Sequence, residues 1–343
     1  MAVNRDFVAS FVRGVFRPGA VLVSYGMRGG GKTHCAVSFC QRLVEGYYPD
    51  TPKHVEVITN VIFVRKADDG GFRTEAPPHV HMVHGMREVF PVIVDALERH
   101  GRKDTLIILL LDEAQNFLLG DDNSRTEMAS SMKKFCGIIR KFNLCLWLIS
   151  PAMRNLGPAF RNFLDADTDP GNVNATLQKD TAKARRFISS KKMEMDPRSI
   201  VFVRTGAKER VTPIPVPTSP WTRDPDTISP GEYVYDNLSS ADFEIGDFPF
   251  REFVQHISGR SSYELVGAVR SFYRGLGGSG DPGDSGKTAE EAVRDREAEI
   301  FRACLAVGLT QAQIAKILGK HPNTIAKWVK RLGGGRQSPS EDV

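Results

Sequence analysis

The run Gly26-Met27-Arg28-Gly29-Gly30-Gly31-Lys32-Thr33 constrains this chain more than any other segment. It follows a short apolar stretch, residues 20–25, and leads into residues 33–46, whose pattern reads as a helix. In the spacing G-x-x-x-x-G-K-T the backbone amides from Met27 to Lys32 can turn into one concavity, because glycine tolerates the dihedrals required and lets an anion approach the backbone closely. Strand, glycine-rich loop and helix in that order make a phosphate cradle. Lys32 is expected to reach the β and γ phosphates as a point charge, the Thr33 hydroxyl to bind Mg2+, and the helix N-terminus at His34 to add a favourable dipole potential. The expected nucleotide contacts run from Gly26 through His34, and ATP with Mg2+ is the expected cofactor pair.

Six consecutive apolar residues, 106–111, deliver Asp112 and Glu113 at the carboxyl end of a predicted strand, where ligands sit in open α/β sheets. Asp112 is the expected partner of Thr33 in holding the metal, through water. Glu113 is the expected catalytic residue that orients and deprotonates the attacking water.

Further apolar runs at 55–64, 144–149 and 199–204 alternate with helical patterns such as 86–100, which predicts a mostly parallel sheet covered on both faces. At 343 residues the chain is too long for one ordinary domain. Prolines at 213, 215, 217, 220, 225 and 230 read as an extended surface segment that ends the core. The organisation expected is a nucleotide-binding core with an N-terminal helix at 1–220, an accessory segment at 221–275, a Gly-rich flexible linker at 276–287, a helical domain at 288–333 and a disordered tail at 334–343.

A hydrophobic content of 41% and a charged content of 25% exclude global disorder. The net charge is only +5, but basic residues gather near Lys133-Lys134, Arg140-Lys141, 183–192 and 316–331, a pattern that suits an anionic partner. Five cysteines without Cys-x-x-Cys spacing read as reduced packing thiols in a cytoplasmic setting. The longest apolar runs fall far below the roughly 20 residues of a membrane span, so no membrane insertion is expected. His79 and His81 share a face of a short predicted strand, without the Cys or carboxylate company of a zinc site.

The stretch Leu110-Leu-Asp-Glu-Ala-Gln-Asn-Phe117, followed by Ile138-Ile-Arg-Lys-Phe142 and Leu146-Trp-Leu-Ile-Ser150, resembles the HerA and FtsK superfamily of DNA-pumping ATPases, which includes viral genome-packaging motors. The resemblance covers about residues 21–163. It implies a RecA- or HerA/FtsK-like P-loop NTPase fold of class α/β, double-stranded DNA as partner, and a homo-oligomeric ring such as a hexamer. It also implies a capsid or vertex protein as partner if the genome is viral, with a place in the host cytoplasm or the virion. Arg140-Lys141-Phe142 occupies the place of that branch's Gly-Arg-Lys-Tyr/Phe-Gly motif, so Arg140 matches an arginine that such motors point at a neighbouring subunit's nucleotide. Arg154 and Arg161 are the reserve candidates. Ser150-Pro151 stands where the branch has Ser-Gln, so a polar contact to the γ-phosphate falls to Ser150 or is absent. Thr59-Asn60 is similar to the Zot-like assembly ATPases of filamentous phages.

Residues 288–332 carry three amphipathic helical patterns, with Gly319-Lys-His-Pro322 supplying the stop and restart between the last two. This looks like the helix-turn-helix of many DNA-binding domains, a small all-α unit. Asn323, Thr324, Lys327, Lys330 and Arg331 face outward on its third helix; Asn can read a base edge and the cations suit phosphates.

The readings that follow are an ATP-hydrolysing motor that packages or moves DNA, an ATP-switched DNA-binding regulator, and a Zot-like phage assembly ATPase.

Overall fold

In the computed structural model the described residues are 5–48, 51–118, 123–156, 174–205, 211–240, 243–244 and 248–276, with positions 310 and 314. In chain order the elements are α1 (Arg5–Val15), β1 (Val21–Gly26), α2 (Lys32–Val44), β2 (His54–Thr59), β3 (Val61–Lys66), β4 (Phe72–Thr74), β5 (Val80–Met82), α3 (Met86–His100) and β6 (Thr105–Leu111). Then come α4 (Gln115–Leu118), α5 (Asn123–Ile138), β7 (Leu144–Ser150), β8 (Asn174–Lys179), α6 (Thr181–Lys191), β9 (Ile200–Thr205), β10 (Thr212–Pro215), β11 (Tyr233–Ser240), α7 (Phe250–Ser258) and α8 (Leu265–Gly275). Contacts divide the chain into two units, Met1–Pro282 and Gly283–Val343.

Eight strands form one sheet in the order β10-β9-β8-β1-β7-β6-β2-β5. From β8 to β5 every neighbouring pair is parallel, while β9 and β10 add an antiparallel edge. The period of two along each strand sorts the side chains between two cores. Leu106, Ile108 and Leu110 of β6 join Trp147 of β7 and Phe39 of α2 on one face. Ile107, Leu109 and Leu111 join Phe90 of α3 and Phe135 of α5 on the other. This mostly parallel sheet with helices on both faces is the P-loop NTPase fold. It sets β7 between the cradle strand β1 and the acidic strand β6, with all three carboxyl ends at one edge.

Two local expectations differ from the structure, and one strand was not expected at all. The strand expected at 55–64 is two strands that turn apart at Asn60, where Thr59 Oγ1 accepts from Val61 N–H at 3.0 Å. β2 stays in the large sheet; β3 passes into a second sheet of order β11-β3-β4. The proline-rich stretch expected to cross the surface begins as a sheet edge, β10. Pro213 and Pro215 are tolerated there because β10 pairs on one side only. Finally, β8 lies beside β1 at the centre of the sheet, although its sequence, Asn-Ala-Thr-Leu-Gln-Lys, lacks an apolar run.

The segment after residue 221 packs on the core. Phe248, Phe250 and Phe253 close over Phe90 and Phe135, with Phe90 and Phe253 ring centroids 4.0 Å apart. No described helix is long and apolar enough to cross a membrane. Cys35, Cys40, Cys136 and Cys145 are buried free thiols, while Cys304 lies outside the described residues. So do Arg161, residues 277–287 of the expected linker, the tail, and the expected DNA-reading residues Asn323, Thr324, Lys327, Lys330 and Arg331.

Candidate nucleotide site

The glycine-rich run forms the turn between β1 and α2. Gly31 is the N-cap of α2 with φ 79°, a left-handed conformation that glycine adopts without strain, and no side chain caps the helix there. An N-terminus left uncapped by side chains presents backbone N–H groups and the positive dipole end to an anion. Gly26 is fixed by space: a Cβ at that position would stand 2.1 Å from the Lys179 carbonyl oxygen. Met27, Arg28 and Gly29 are exposed at the loop tip, and Gly30 N–H closes the turn on Met27 O at 3.0 Å.

Lys32 folds back to donate to that same Met27 carbonyl at 3.1 Å. Burial pushes its ammonium down from the ordinary lysine range, while Asp112 and Glu113 hold it up. A partly desolvated cation inside a loop of amides is an anion site. His34, on the first turn of α2, has its imidazole pushed down by burial and then by Lys179.

Across from the loop, the Thr33 hydroxyl donates to Asp112 Oδ2 at 2.7 Å. Burial raises the Asp112 carboxyl, opposed by hydrogen bonds from Thr33 and from Glu113 N–H, the latter 2.8 Å from Oδ1. A hydroxyl and a partly buried carboxylate side by side form a hard-oxygen donor set of the kind Mg2+ prefers. Asn60 holds the Asp112 peptide on both sides, donating from Nδ2 to Asp112 O at 3.1 Å and accepting from Asp112 N–H at 2.8 Å. That clasp fixes where β6 ends. In sequence Asn60 carried only a family likeness, since nothing local signals a contact 52 residues away.

Glu113 follows with φ 54°, a left-handed conformation unusual for a residue with a side chain. Gln115 Nε2 donates to its carboxylate. Strain of this kind persists where the surroundings over-determine the backbone, and it clusters at active sites. Ser150 reaches the same edge at the end of β7, but it is buried and its hydroxyl donates to Ala152 O at 3.1 Å.

Arg140 lies elsewhere. It sits in the 3-10 turn Ile139–Phe142 that precedes β7, at the opposite end of that strand from Ser150. Seven residues of strand span about 23 Å, farther than an arginine side chain reaches. Its neighbours are anchored: Phe142 is buried against Phe90 and Phe135, and Lys141 Nζ donates to Ser258 O at 3.0 Å and to Arg260 O at 2.7 Å, closing the end of α7. Arg140 itself is exposed, with no side-chain partner among the described residues. Arg154, just after β7, is exposed at the nucleotide edge.

Nothing in the residue pattern singled out Lys179. It is 3% exposed at the end of β8, and its ammonium donates to Arg198 O and to Ile200 O, the latter at 2.9 Å. Its burial ties β8 to β9 directly behind the loop.

The histidines set aside at 79 and 81 have a structural partner. Glu56, 1% exposed near the amino end of β2, accepts from His81 Nε2 at 2.8 Å and His79 Nδ1 at 3.2 Å, and His100 Nε2 stands 3.2 Å away. Burial alone would raise the Glu56 carboxyl; the imidazoles of His81 and His79 outweigh it and hold it at about 2.

Residues 291–339 match the family model of a homeodomain-like domain. Within them Ile314 is buried and helical, its N–H donating to Thr310 O at 3.0 Å. No curated protein matches the chain in sequence. Among solved structures it is similar to the genome packaging NTPase B204 of Sulfolobus turreted icosahedral virus 2 in complex with ATP-gammaS, at 13% identity and TM-score 0.34, over 59% of this chain and 99% of that one. The DNA-packaging ATPase B204 of Sulfolobus turreted icosahedral virus gives 13% identity and TM-score 0.35 over the same shares. The N-terminal domain of zonular occludens toxin from Neisseria meningitidis gives 11% and 0.32, over 58% of this chain and 93% of that one. By the order and direction of its own strands, the chain carries a P-loop NTPase fold, and it joins to this a homeodomain-like segment at 291–339.

Proposed function

We propose that this chain is an ATP-hydrolysing motor that moves double-stranded DNA, packaging a viral or mobile-element genome. The observation that carries the enzymatic half is the Thr33–Asp112 contact at 2.7 Å beside Lys32, with Glu113 held in a strained turn next to it. Lys32 binds the β and γ phosphates by charge, and the amides from Met27 to Lys32 hold them in register. Glu113 orients the attacking water and takes its proton. Thr33 and Asp112 would hold Mg2+, which when bound would supply neutralising charge at the phosphate oxygens.

Arg140 supports the oligomeric half of the reading. An exposed guanidinium on an anchored turn, too far from its own subunit's cradle, suits action on a neighbour's nucleotide in a ring. The homeodomain-like segment supports the DNA half, with Asn323 and Thr324 at base edges and Lys327, Lys330 and Arg331 at phosphates. A capsid vertex protein is the further partner that packaging requires. The test is steady-state hydrolysis of ATP with and without double-stranded DNA, alongside the mass of the assembly. Turnover stimulated by DNA in a ring is expected. Slow hydrolysis indifferent to DNA, with tight binding to one DNA sequence, would instead identify an ATP-switched regulator.

A further inference from the structure

Lys179 touches the phosphate cradle with both its backbone and its side chain. In the register of β8 on β1 it stands opposite Gly26. Its carbonyl oxygen leaves no room for a side chain on Gly26 and lies 3.8 Å from where a Cβ on Gly30 would be. The side-chain stem continues along the loop, with Cε 3.7 Å from the same position on Gly31, the N-cap of α2. Three of the glycines that shape the cradle are therefore folded against one lysine.

Beyond the loop the ammonium reaches β9 and its approach, donating to Arg198 O and to Ile200 O, the latter at 2.9 Å. Two carbonyls occupy two of its three N–H groups but supply no opposite charge. Among the described residues no carboxylate pairs with it. Of the groups that act on its charge, Cys35 is a buried thiol pushed up to about 11 by burial, hence neutral at working pH. Asp196 is exposed and spends Oδ1 on Arg198 N–H, at 2.8 Å, within its own turn. A lysine this buried is ordinarily paired, and an unpaired ammonium in the interior costs free energy. A polyphosphate held by the amides of the adjoining loop is the anion best placed to offset that cost.

We propose that Lys179 is a positioning residue of the nucleotide site, a fixed positive charge built in behind the phosphate loop that favours a triphosphate over a diphosphate. This rests on the nucleotide-binding reading above. Lys32 acts by reaching the phosphates directly; Lys179 acts through the loop, without touching them. A charge that acts through space draws every phosphate within range, so each further phosphate gains from it.

The experiment is equilibrium binding of a fluorescent, non-hydrolysable ATP analogue and of fluorescent ADP to wild type, Lys179→Gln and Lys179→Met. Both variants remove the charge. Gln keeps a donor for the β9 carbonyls, whereas Met keeps only the stem. With thermal midpoints showing that the variants fold, each should lose about tenfold in affinity for the triphosphate, the scale of one charge acting across several ångströms of protein, and less for the diphosphate. Should Lys179→Met fail to fold, Lys179→Gln decides alone. Wild-type affinity in Lys179→Gln would overturn the proposal and leave Lys179 as a tie between strands. Equal losses for the two nucleotides would overturn it as well, since a displaced loop weakens both alike. A wild-type chain that binds neither nucleotide would overturn the ATPase reading itself, and this inference with it.

Discussion

The Thr33 hydroxyl and the Asp112 carboxylate meet at 2.7 Å across 79 residues of sequence, joining the first turn of α2 to the end of β6. Asp112 is partly buried, so its carboxylate draws part of its solvation from that hydroxyl and from the Glu113 amide. Thr33→Val keeps the shape and removes the donor. We predict a loss of about 2 kcal/mol in metal-free stability, read as a lower denaturant midpoint at unchanged slope. An unchanged midpoint would mean that the contact is not made in solution.

Lys32→Ala is predicted to abolish hydrolysis, because the mechanism rests on positioned charge. Glu113→Gln should keep nucleotide binding and lose roughly 10²- to 10⁴-fold in turnover, since the amide accepts a hydrogen bond but takes no proton. Glu113→Gly is more telling. It relieves the left-handed backbone at that position, so a gain of about 1 kcal/mol in stability is expected together with loss of activity. Loss of both would move Glu113 from catalysis to folding.

Arg140→Ala should lower turnover by roughly 10³-fold while each subunit still binds ATP. Mixed with Lys32→Ala subunits, it should recover part of the activity, because some interfaces then pair an intact cradle with an intact arginine. Absence of recovery in assemblies proven to be mixed would count against action between subunits.

Glu56 predicts a pH dependence. Its folded-state carboxyl, at about 2, lies below the ordinary 4.5, so the stability it contributes is fully present above about 4.5 and is lost as pH falls toward 2. The stability difference between wild type and Glu56→Gln, measured by denaturant titration, should therefore shrink steadily as pH falls below 4.5. A difference that does not change with pH would show that the imidazoles do not hold the carboxylate charged.

Removal of residues 288–343 is predicted to leave basal hydrolysis near wild type and to weaken DNA binding. The salt slope should fall too, by the counterions that Lys327, Lys330 and Arg331 would release if they contact phosphates as proposed. A truncated protein that binds DNA as before would exclude the homeodomain-like segment as the gripping element.

Much of the fold could be read in advance where burial leaves a local mark. β1, β6 and β7 announce themselves because strands covered on both faces need unbroken apolar runs. β8 does not, since Asn174 and Lys179 are buried with polar groups that find their partners only after folding, as the Lys179 ammonium does on Arg198 and Ile200. The cradle and the Asp112–Glu113 pair were legible for a similar reason: their chemistry demands fixed residue types at fixed spacing. Asn60 reaches the site from a strand end 52 residues away, and nothing near it in sequence says so. The pairing of His79 and His81 with Glu56 was hidden in the same way.

Gly26 has a bearing on how such a chain can change over generations. At most positions a new side chain can be absorbed by a neighbour that rotates aside, and substitutions accumulate one at a time. At Gly26 the obstacle is the Lys179 carbonyl, 2.1 Å from where any Cβ would be, and a backbone carbonyl has no rotamer to retreat into. β8 could give way only as a whole, and Lys179 ties it to β9. Every single-step route away from glycine at position 26 is therefore closed, and the cradle and its neighbouring strand can drift only together.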